Sequence, residues 1–301
     1  MEIPHHVVFR NFTPWAGDVP RGFIVDSIGV RIRVSFFESF PEQGREDRYE
    51  QEPLPAFDEE YFEWVTLLEA VTEARDCFTM IELGAGYGRW LARGAAAARR
   101  RGIPYHLVGV EAEPTHFEWM KQVFQDNEIQ PCEAELVQAA VSSEDGVVWF
   151  LEGAPQTWYG QRMASKGKRQ TLRSRGIPLL WRLLRRGAIA ARQARAVSLA
   201  TLLYPLRRVD LIDIDVQGDE LDVLTAAQAP LARKVRHVHV GTHSRRAEVG
   251  LRQLFGDTLK WKALNDYPFG RFCKTPWGPI SFQDGVQDWR NPRWKEIIAS
   301  G

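Results

Sequence analysis

Cysteine is scarce in this 301-residue sequence, which contains only Cys77, Cys132 and Cys273. Their odd number and wide spacing exclude a disulfide framework, give no zinc-ligand pattern and fit a reducing compartment. No apolar run approaches the roughly 18 residues that span a bilayer, and the first residues lack a charged leader followed by an apolar stretch. We therefore expect a cytoplasmic protein without a transmembrane segment.

A net charge of one sign is also lacking, because 39 Lys and Arg residues balance 39 Asp and Glu residues. Because the chain has no overall excess of positive charge to attract nucleic acid, we do not expect nucleic acid as a partner. The charges are nevertheless segregated: acidic residues dominate from Glu38 to Asp76, whereas no Asp or Glu occurs from Gly153 to Val209. Two surfaces of opposite charge are expected.

Residues 1–57 form the predicted N-terminal extension. Two β-branched and aromatic runs between Phe23 and Phe37 flank Ser27-Ile28-Gly29, a pattern typical of a β-hairpin, and a Pro-rich acidic connector follows. The second predicted unit, residues 58–301, begins with a helix capped by Asp58. Apolar residues recur in this helix at helical spacing and predict its buried face: Tyr61, Trp64, Val65, Leu68 and Val71.

From Phe78 onward, short apolar runs alternate with longer helical patterns, as in consecutive βα units. The fold class is therefore α/β, a Rossmann-like, doubly wound and mostly parallel sheet. Residues 259–264 and 278–282 predict an antiparallel closing hairpin at one edge. Strands are predicted near residues 78–83, 105–111, 134–141, 209–215 and 235–241, and helices near 87–101, 114–127, 217–228 and 244–255.

The first βα turn reads Glu82-Leu83-Gly84-Ala85-Gly86-Tyr87-Gly88. Its glycines permit positive φ and a close backbone approach to a ligand, and the following helix N-terminus offers free N–H groups. The GxGxG spacing is shorter than the GxGxxG of dinucleotide-binding folds, so it favours S-adenosylmethionine (SAM) over NAD. A purely structural turn is the alternative. The expected cofactor contacts here are Glu82, Gly84, Ala85, Gly86 and Tyr87.

Further cofactor contacts are predicted at the ends of the next two strands. Glu111 follows the glycine loop by about two dozen residues, where a carboxylate accepts hydrogen bonds from ribose hydroxyls; Glu113 is its competitor, and Ala112 lies between them. The third strand ends in Gln138 and Ala139, which leave room for an adenine ring and offer its edge a hydrogen bond. Plain packing is the alternative for these two residues.

The fourth and fifth strands carry the candidate catalytic residues, because ligands of open α/β sheets bind beyond the carboxyl ends of the strands. Asp213 and Asp215 point to the same side of the fourth strand. His243 follows the fifth strand and is the predicted base for a hydroxyl proton, with Asp215 positioning the substrate or polarising that histidine. These carboxylates and histidines also suit a divalent cation, but no ligand spacing requires one, and a metal-free site is favoured.

With these motifs in view, the chain resembles the FkbM family of SAM-dependent methyltransferases from about Phe78 to Val240. The most specific block is Ile212-Asp213-Ile214-Asp215-Val216-Gln217-Gly218-Asp219-Glu220, where the family typically has Lys and Glu in place of Asp213 and Gln217. The resemblance implies a class I methyltransferase fold and O-methylation of a hydroxyl on a sugar, glycan or small natural product. It also implies SAM contacts at Glu82, Gly84, Gly86 and Glu111.

A basic insertion, residues 155–196, separates the third and fourth predicted strands and is longer than a crossover requires. Trp158 and Tyr159 at its start are predicted to stack on a sugar ring or the cofactor, and Asp213 is the third expected substrate contact. The positive charge suggests an anionic acceptor, and the mixture of apolar and basic residues suits peripheral contact with a membrane and a lipid-linked glycan. A solvated helix facing the acidic connector is the alternative.

Two other function classes stay open on the sequence. An NAD(P)-dependent oxidoreductase would use the same strand, glycine loop and helix, although the glycine spacing is unfavourable for it. The second class is a non-catalytic SAM-binding partner protein. Its one hint is that Asp213 and Gln217 replace the Lys and Glu that are usual in the FkbM family.

Overall fold

The computed structural model describes residues 4–37, 48–51, 53–152, 162–163 and 190–294. Within them, two 3₁₀ turns (Val7–Asn11 and Val34–Phe36) and a π-helical turn (Arg252–Thr258) accompany the regular elements. No helix in this part of the chain has both the length and the apolar character needed to cross a bilayer. The strands are β1 (Ala16–Val19), β2 (Phe23–Val25), β3 (Arg31–Arg33), β4 (Arg48–Gln51), β5 (Phe78–Leu83), β6 (Tyr105–Glu111), β7 (Ala134–Gln138), β8 (Ala140–Ser142), β9 (Gly146–Glu152), β10 (Arg162–Met163), β11 (Ala190–Ser198), β12 (Val209–Ile214), β13 (Val235–Thr242), β14 (Lys262–Tyr267), β15 (Arg271–Thr275), β16 (Gly278–Phe282) and β17 (Gly285–Arg290). The α-helices are α1 (Glu60–Glu73), α2 (Arg89–Arg100), α3 (Pro114–Asp126), α4 (Leu199–Leu203), α5 (Glu220–Ala226), α6 (Gln228–Lys234) and α7 (Arg245–Leu251).

A seven-stranded sheet in the order β14-β17-β13-β12-β5-β6-β7 forms the centre of the fold. The strands from β13 to β7 pair in parallel, and β17 runs antiparallel to both of its neighbours. Helices cover both faces. This is a Rossmann-like sheet of the class I methyltransferase type, as the sequence predicted.

Apolar cores fill both faces of the central sheet. One face carries α1, α2 and α3 together with Phe9, Ile32 and Phe36 from the N-terminal extension. The other face carries α4 to α7 and the π-helical turn. The predicted hairpin is present as β2 and β3, and all five apolar positions predicted for α1 are buried. The extension therefore shares a core with the domain that follows it.

Two predicted strands need correction. The third predicted strand is divided at Ala139: β7 ends the central sheet, whereas β8 joins β9, β10 and β11 in a separate sheet. The strand that pairs antiparallel with the edge strand β14 is β17, while residues 278–282 form a small hairpin with β15. Apolar patterning misses β17 because its centre is polar: Gln287 and Asp288 are both fully buried.

Hydrogen-bonded register aligns one row of polar residues across five strands. Asn265 pairs with Asp288, Asp288 with His239, His239 with Asp213, and Asp213 with Glu82. Paired residues of a sheet project to the same face, so this polar row points toward α1. All of its members except Asn265 are buried.

Gly84 provides a direct test of why the first βα turn requires glycine. A Cβ atom built there would lie 2.0 Å from the Asp215 carbonyl oxygen, and φ is +79°. We expect Gly84→Ala to lower the free energy of unfolding by about 2–5 kcal/mol, because backbone strain and overpacking add. Urea unfolding measures the loss. Gly102→Ala is the matched control, since φ there is +66° but nothing lies within 4 Å of the added Cβ; it should cost only about 1–2 kcal/mol. Equal losses would contradict the packing explanation.

Candidate functional site

A cavity of about 470 Å³ opens at the carboxyl ends of β5, β6, β12 and β13. The glycine loop and Glu111 form one wall, and α1 with the residues around Asp213, Asp215 and Asp284 forms the other. This is the position where open α/β sheets bind ligands. The cavity is large enough to hold a nucleoside and part of a second molecule.

The glycine loop of the cavity has the predicted backbone conformation: φ is positive at Gly84, Gly86 and Gly88. Gly84 is required by its contact with the end of β12, as described above. The amide of Gly86 donates a 2.8 Å hydrogen bond to Glu111 Oε2, which ties the loop to the end of β6. The loop thus joins three strand ends and lines the cavity through Gly84, Ala85, Gly86 and Tyr87.

Glu111 is the last residue of β6 and lines the cavity. Its second oxygen accepts a 2.7 Å hydrogen bond from the Glu113 amide, so both oxygens are held by backbone. An ionised carboxylate has about four acceptor positions, and two therefore remain for ligand hydroxyls. Burial raises the pKa of Glu111 to about 7, although the hydrogen bonds from the Glu113 and Gly86 amides act in the opposite direction and lower it. The competing candidate Glu113 caps α3 instead, accepting a 2.6 Å hydrogen bond from His116.

Glu82 lies at the base of the cavity and is buried. Its carboxylate accepts a 3.1 Å hydrogen bond from the Leu91 amide in the first turn of α2. Burial, followed by the neighbouring Asp213, raises the pKa of Glu82 well above its ordinary value. Glu82 therefore positions the helix N-terminus behind the glycine loop.

The opposite wall is built on the polar row. His239 Nδ1 lies 2.6 Å from Asp288 Oδ1, and Asn265 Nδ2 donates a 2.8 Å hydrogen bond to Asp288 Oδ2. Glu63 of α1 covers Asp213. The pKa of Glu63 is raised well above its ordinary value, first by burial and then by the neighbouring Asp213 carboxylate. Burial also raises the pKa of Asp213. For His239, burial alone would lower the pKa, but the carboxylates of Asp288, Asp213 and Asp215 together outweigh it, so the net shift is upward.

His243 forms a separate ion-paired cluster behind Asp215. Its Nδ1 lies 2.8 Å from Glu220 Oε1, and its Nε2 lies 3.2 Å from Asp215 Oδ1. Gln217, whose φ is +59°, contacts both Asp215 and His243. Burial alone would lower the pKa of His243, but the hydrogen bonds to Asp215 and Glu220 prevail and raise it to about 10. His243 is thus an imidazolium near neutral pH. It is not among the residues that line the cavity.

Most of the residues predicted for the site meet at this cavity. Those that line it are Glu82, Gly84, Ala85, Gly86, Tyr87, Glu111, Asp213 and Asp215. Ala112 and Ala139 are buried outside the lining and Gln138 is exposed, so the adenine contacts expected at the third strand are not part of the described cavity. Trp158 and Tyr159 lie outside the described residues, as does most of the basic insertion.

Over 287 residues the chain is 27% identical to a protein of Jannaschia sp. (strain CCS1) named "Putative methyltransferase", covering 94% of this chain and 97% of that protein. No protein-family model matches the chain. Among solved structures, methyltransferase FkbM from Methylobacillus flagellatus KT is similar with a TM-score of 0.44 and 10% identity, covering 78% of this chain and 55% of the other. Precorrin-6y C5,15-methyltransferase from Geobacter metallireducens GS-15 gives a TM-score of 0.41 and 10% identity, with coverages of 75% and 85%. The sequence similarity thus extends far beyond the glycine loop, and membership of the FkbM family stays a prediction.

The sequence patterns did not identify the acidic residues contributed by elements outside the βα units. Glu59, Glu60 and Glu63 come from the start of α1, and Asp284 precedes β17. Acidic residues in the first turn of a helix are ordinarily explained by their interaction with the helix dipole. The sequence therefore offered no reason to expect that these residues also line the cavity. Among the described residues, the lining combines one arginine, Arg89, with eight carboxylates: Glu59, Glu60, Glu63, Glu82, Glu111, Asp213, Asp215 and Asp284.

The raised pKa of Glu111 predicts pH-dependent binding of S-adenosylhomocysteine. Ribose hydroxyls donate to the ionised carboxylate, so bound ligand favours deprotonation, and affinity should be full above pH 7 and fall at most tenfold per unit below it. Glu111→Gln should weaken binding roughly 10- to 100-fold at pH 8, since hydrogen bonds to charged groups contribute about 1.5–3 kcal/mol, and should flatten the pH profile. Titration calorimetry from pH 6 to pH 8 measures both effects.

Glu113→Gln is the matched control for this titration, because its remaining carbonyl oxygen can still cap α3 while Glu111 is untouched. We expect it to retain wild-type affinity at pH 8 and to move the fall in affinity to lower pH, because the Glu113 charge contributes to the raised pKa of Glu111. Equal weakening in both variants would show that the loop conformation, rather than the Glu111 carboxylate, is being measured.

Proposed function

We propose that this protein is a SAM-dependent methyltransferase that transfers a methyl group to a hydroxyl of a sugar, a glycan or a small natural product. The observation that supports this most strongly is the buried Glu111 carboxylate, bound to Gly86 of the glycine loop at the edge of the cavity. The near full-length similarity to a protein named as a methyltransferase supports the same reaction class. The resemblance to the FkbM family supports oxygen as the acceptor atom.

SAM fits the residues present at the cavity. Its ribose would bind Glu111, its adenosyl group would lie along the glycine loop, and its methyl group would face the wall formed by Asp213 and Asp215. Carboxylates on that wall suit a ligand with a sulfonium charge. They also argue against the anionic acceptor suggested by the basic insertion, because an anion in this lining would meet like charges.

We assign the proton-accepting role to Asp215 and a positioning role to His243. SAM would supply the methyl group, with its carbon–sulfur bond breaking as the acceptor oxygen bonds the methyl carbon, and the Asp215 carboxylate would take the hydroxyl proton. Asp215 is suited to this because its side chain is 55% exposed and lines the cavity. His243 already carries a proton at neutral pH and bonds Glu220, so it orients Asp215 instead of acting as the base.

An amine acceptor is the second candidate, favoured by the excess of carboxylates over cations in the lining. A cationic amine would be attracted to such a cavity and would yield a methylated nitrogen. Incubating the enzyme with hydroxyl and amine acceptor panels and methyl-labelled SAM separates the two reactions by the labelled product.

The cofactor assignment predicts selective stabilisation by SAM and S-adenosylhomocysteine. At a ligand concentration of 100 times Kd, binding adds about 2.7 kcal/mol to the free energy of unfolding, enough to raise the Tm by several degrees. Differential scanning fluorimetry with SAM, S-adenosylhomocysteine and NAD measures this. Stabilisation by NAD alone would instead support the oxidoreductase, and binding of SAM without turnover of any acceptor would support the non-catalytic protein.

The roles of Asp215 and His243 predict unequal effects on turnover. Asp215→Asn should lower kcat by roughly 10²–10⁴-fold, the usual contribution of a positioned base. His243→Gln should lower it less, and His243→Lys should recover part of that loss because it keeps a positive charge beside Asp215. Steady-state kinetics with an identified acceptor provides the comparison. If His243→Gln and His243→Lys are as inactive as Asp215→Asn, the imidazole itself takes part in proton transfer.

A further inference from the structure

Glu63, Asp213 and His239 bring two carboxylates and one imidazole together in the cavity. One ligand atom from each lies within 4.8 Å of the others, and all three residues line the cavity. Ligands about 2.1 Å from a metal ion lie no more than about 4.2 Å apart, so small side-chain rotations would close the group around one ion. Imidazole nitrogen suits Zn²⁺ and carboxylate oxygen suits Mn²⁺, so the group offers ligands for a divalent transition metal.

His239 is oriented as metal-binding histidines are. Asp288, which is fully buried, binds Nδ1, and Asn265 in turn binds Asp288. A carboxylate on one ring nitrogen fixes the tautomer and directs the other nitrogen at the metal. His239 is 5% exposed, and the side-chain hydrogen bond that its ring makes within the described residues is the one between Nδ1 and Asp288. Because His239 also lines the cavity, its Nε2 is available there beside two carboxylates.

A second group of similar composition, Asp215, Glu220 and His243, lacks this feature. Both ring nitrogens of His243 are already within hydrogen-bond distance of carboxylates, Nδ1 of Glu220 and Nε2 of Asp215. The arrangement is that of an ion-paired cation. Among the described residues, the His239 group is therefore the better candidate for a metal.

We propose that Glu63, Asp213 and His239 bind one divalent transition-metal ion, such as Mn²⁺ or Zn²⁺, in the floor of the cavity. The ion would keep open coordination positions toward the cavity, because the chain supplies three ligands. Its catalytic role rests on the proposed function: an acceptor hydroxyl bound to the ion would lose its proton to Asp215 more readily. This reverses the metal-free expectation drawn from sequence, where Glu63 was not recognised as a member of the site.

Metal affinity of the purified full-length protein tests the site without any acceptor. Electron paramagnetic resonance of Mn²⁺ and calorimetry with Zn²⁺ should show one ion per chain. Asp213→Asn and His239→Gln should each weaken binding at least tenfold, whereas Glu59→Gln, which neutralises another lining carboxylate, should stay within twofold of wild type. Asp288→Asn should weaken binding roughly 10- to 100-fold through His239. No binding at 1 mM metal (about −4 kcal/mol) would overturn the proposal, as would equal affinity in Asp213→Asn.

Wild-type crystals soaked in Mn²⁺ provide a second measurement that needs no variant to fold. The anomalous signal should lie between Glu63, Asp213 and His239, and a peak confined to any other position would overturn the proposal. Calorimetry with S-adenosylhomocysteine on the same protein keeps the two claims separate. Nucleoside binding without metal binding would refute only the metal site, and metal binding without nucleoside binding would refute only the SAM assignment.

Discussion

The polar row across the central sheet is the constraint on which the rest of the site depends. Asn265, Asp288, His239, Asp213 and Glu82 occupy consecutive strands at one level, and four of them are buried. Buried charges persist in a sheet only when they are paired, and removing one partner typically costs about 3–5 kcal/mol. Asp288 thereby ties β17 to both of its neighbouring strands, through His239 on β13 and Asn265 on β14.

This row also places the two walls of the cavity. Glu82, at one end, holds the first turn of α2 and thereby the glycine loop, while Asp213 and His239 lie beneath α1 and Glu63. The antiparallel strand β17 is part of the same system because Asp288 belongs to it. The wall formed by the glycine loop and Glu111 consequently faces the wall that contains Asp213 and Asp215 across one set of strand ends.

Much of the fold was predictable from sequence because it follows from local patterns. Apolar runs predicted the five parallel strands, helical spacing predicted the buried face of α1, and the glycines with Glu111 predicted the wall that we propose binds the cofactor. The strand β17 was missed because Gln287 and Asp288 break the apolar pattern that marks a buried strand. Only tertiary partners such as His239 and Asn265 make such a strand stable, and local sequence contains no sign of them.

The same reasoning explains where the described site differs from the sequence-based expectations. His243 was predicted as the base from its position after a strand, but its carboxylate neighbours Glu220 and Asp215 determine its charge, and Glu220 lies on another element. Glu63 was missed because a helix was expected to contribute packing alone. Residues that act through long-range pairs are thus the ones that single-sequence patterns do not assign.

A crystal structure with bound S-adenosylhomocysteine is the most direct test of the central claim, that Glu111 and the glycine loop bind the cofactor opposite the Asp213 and Asp215 wall. We expect both ribose hydroxyls on the Glu111 carboxylate and the thioether sulfur directed toward Asp215. A nucleoside bound elsewhere in the molecule would contradict it, as would one in the cavity with its sulfur directed away from that wall.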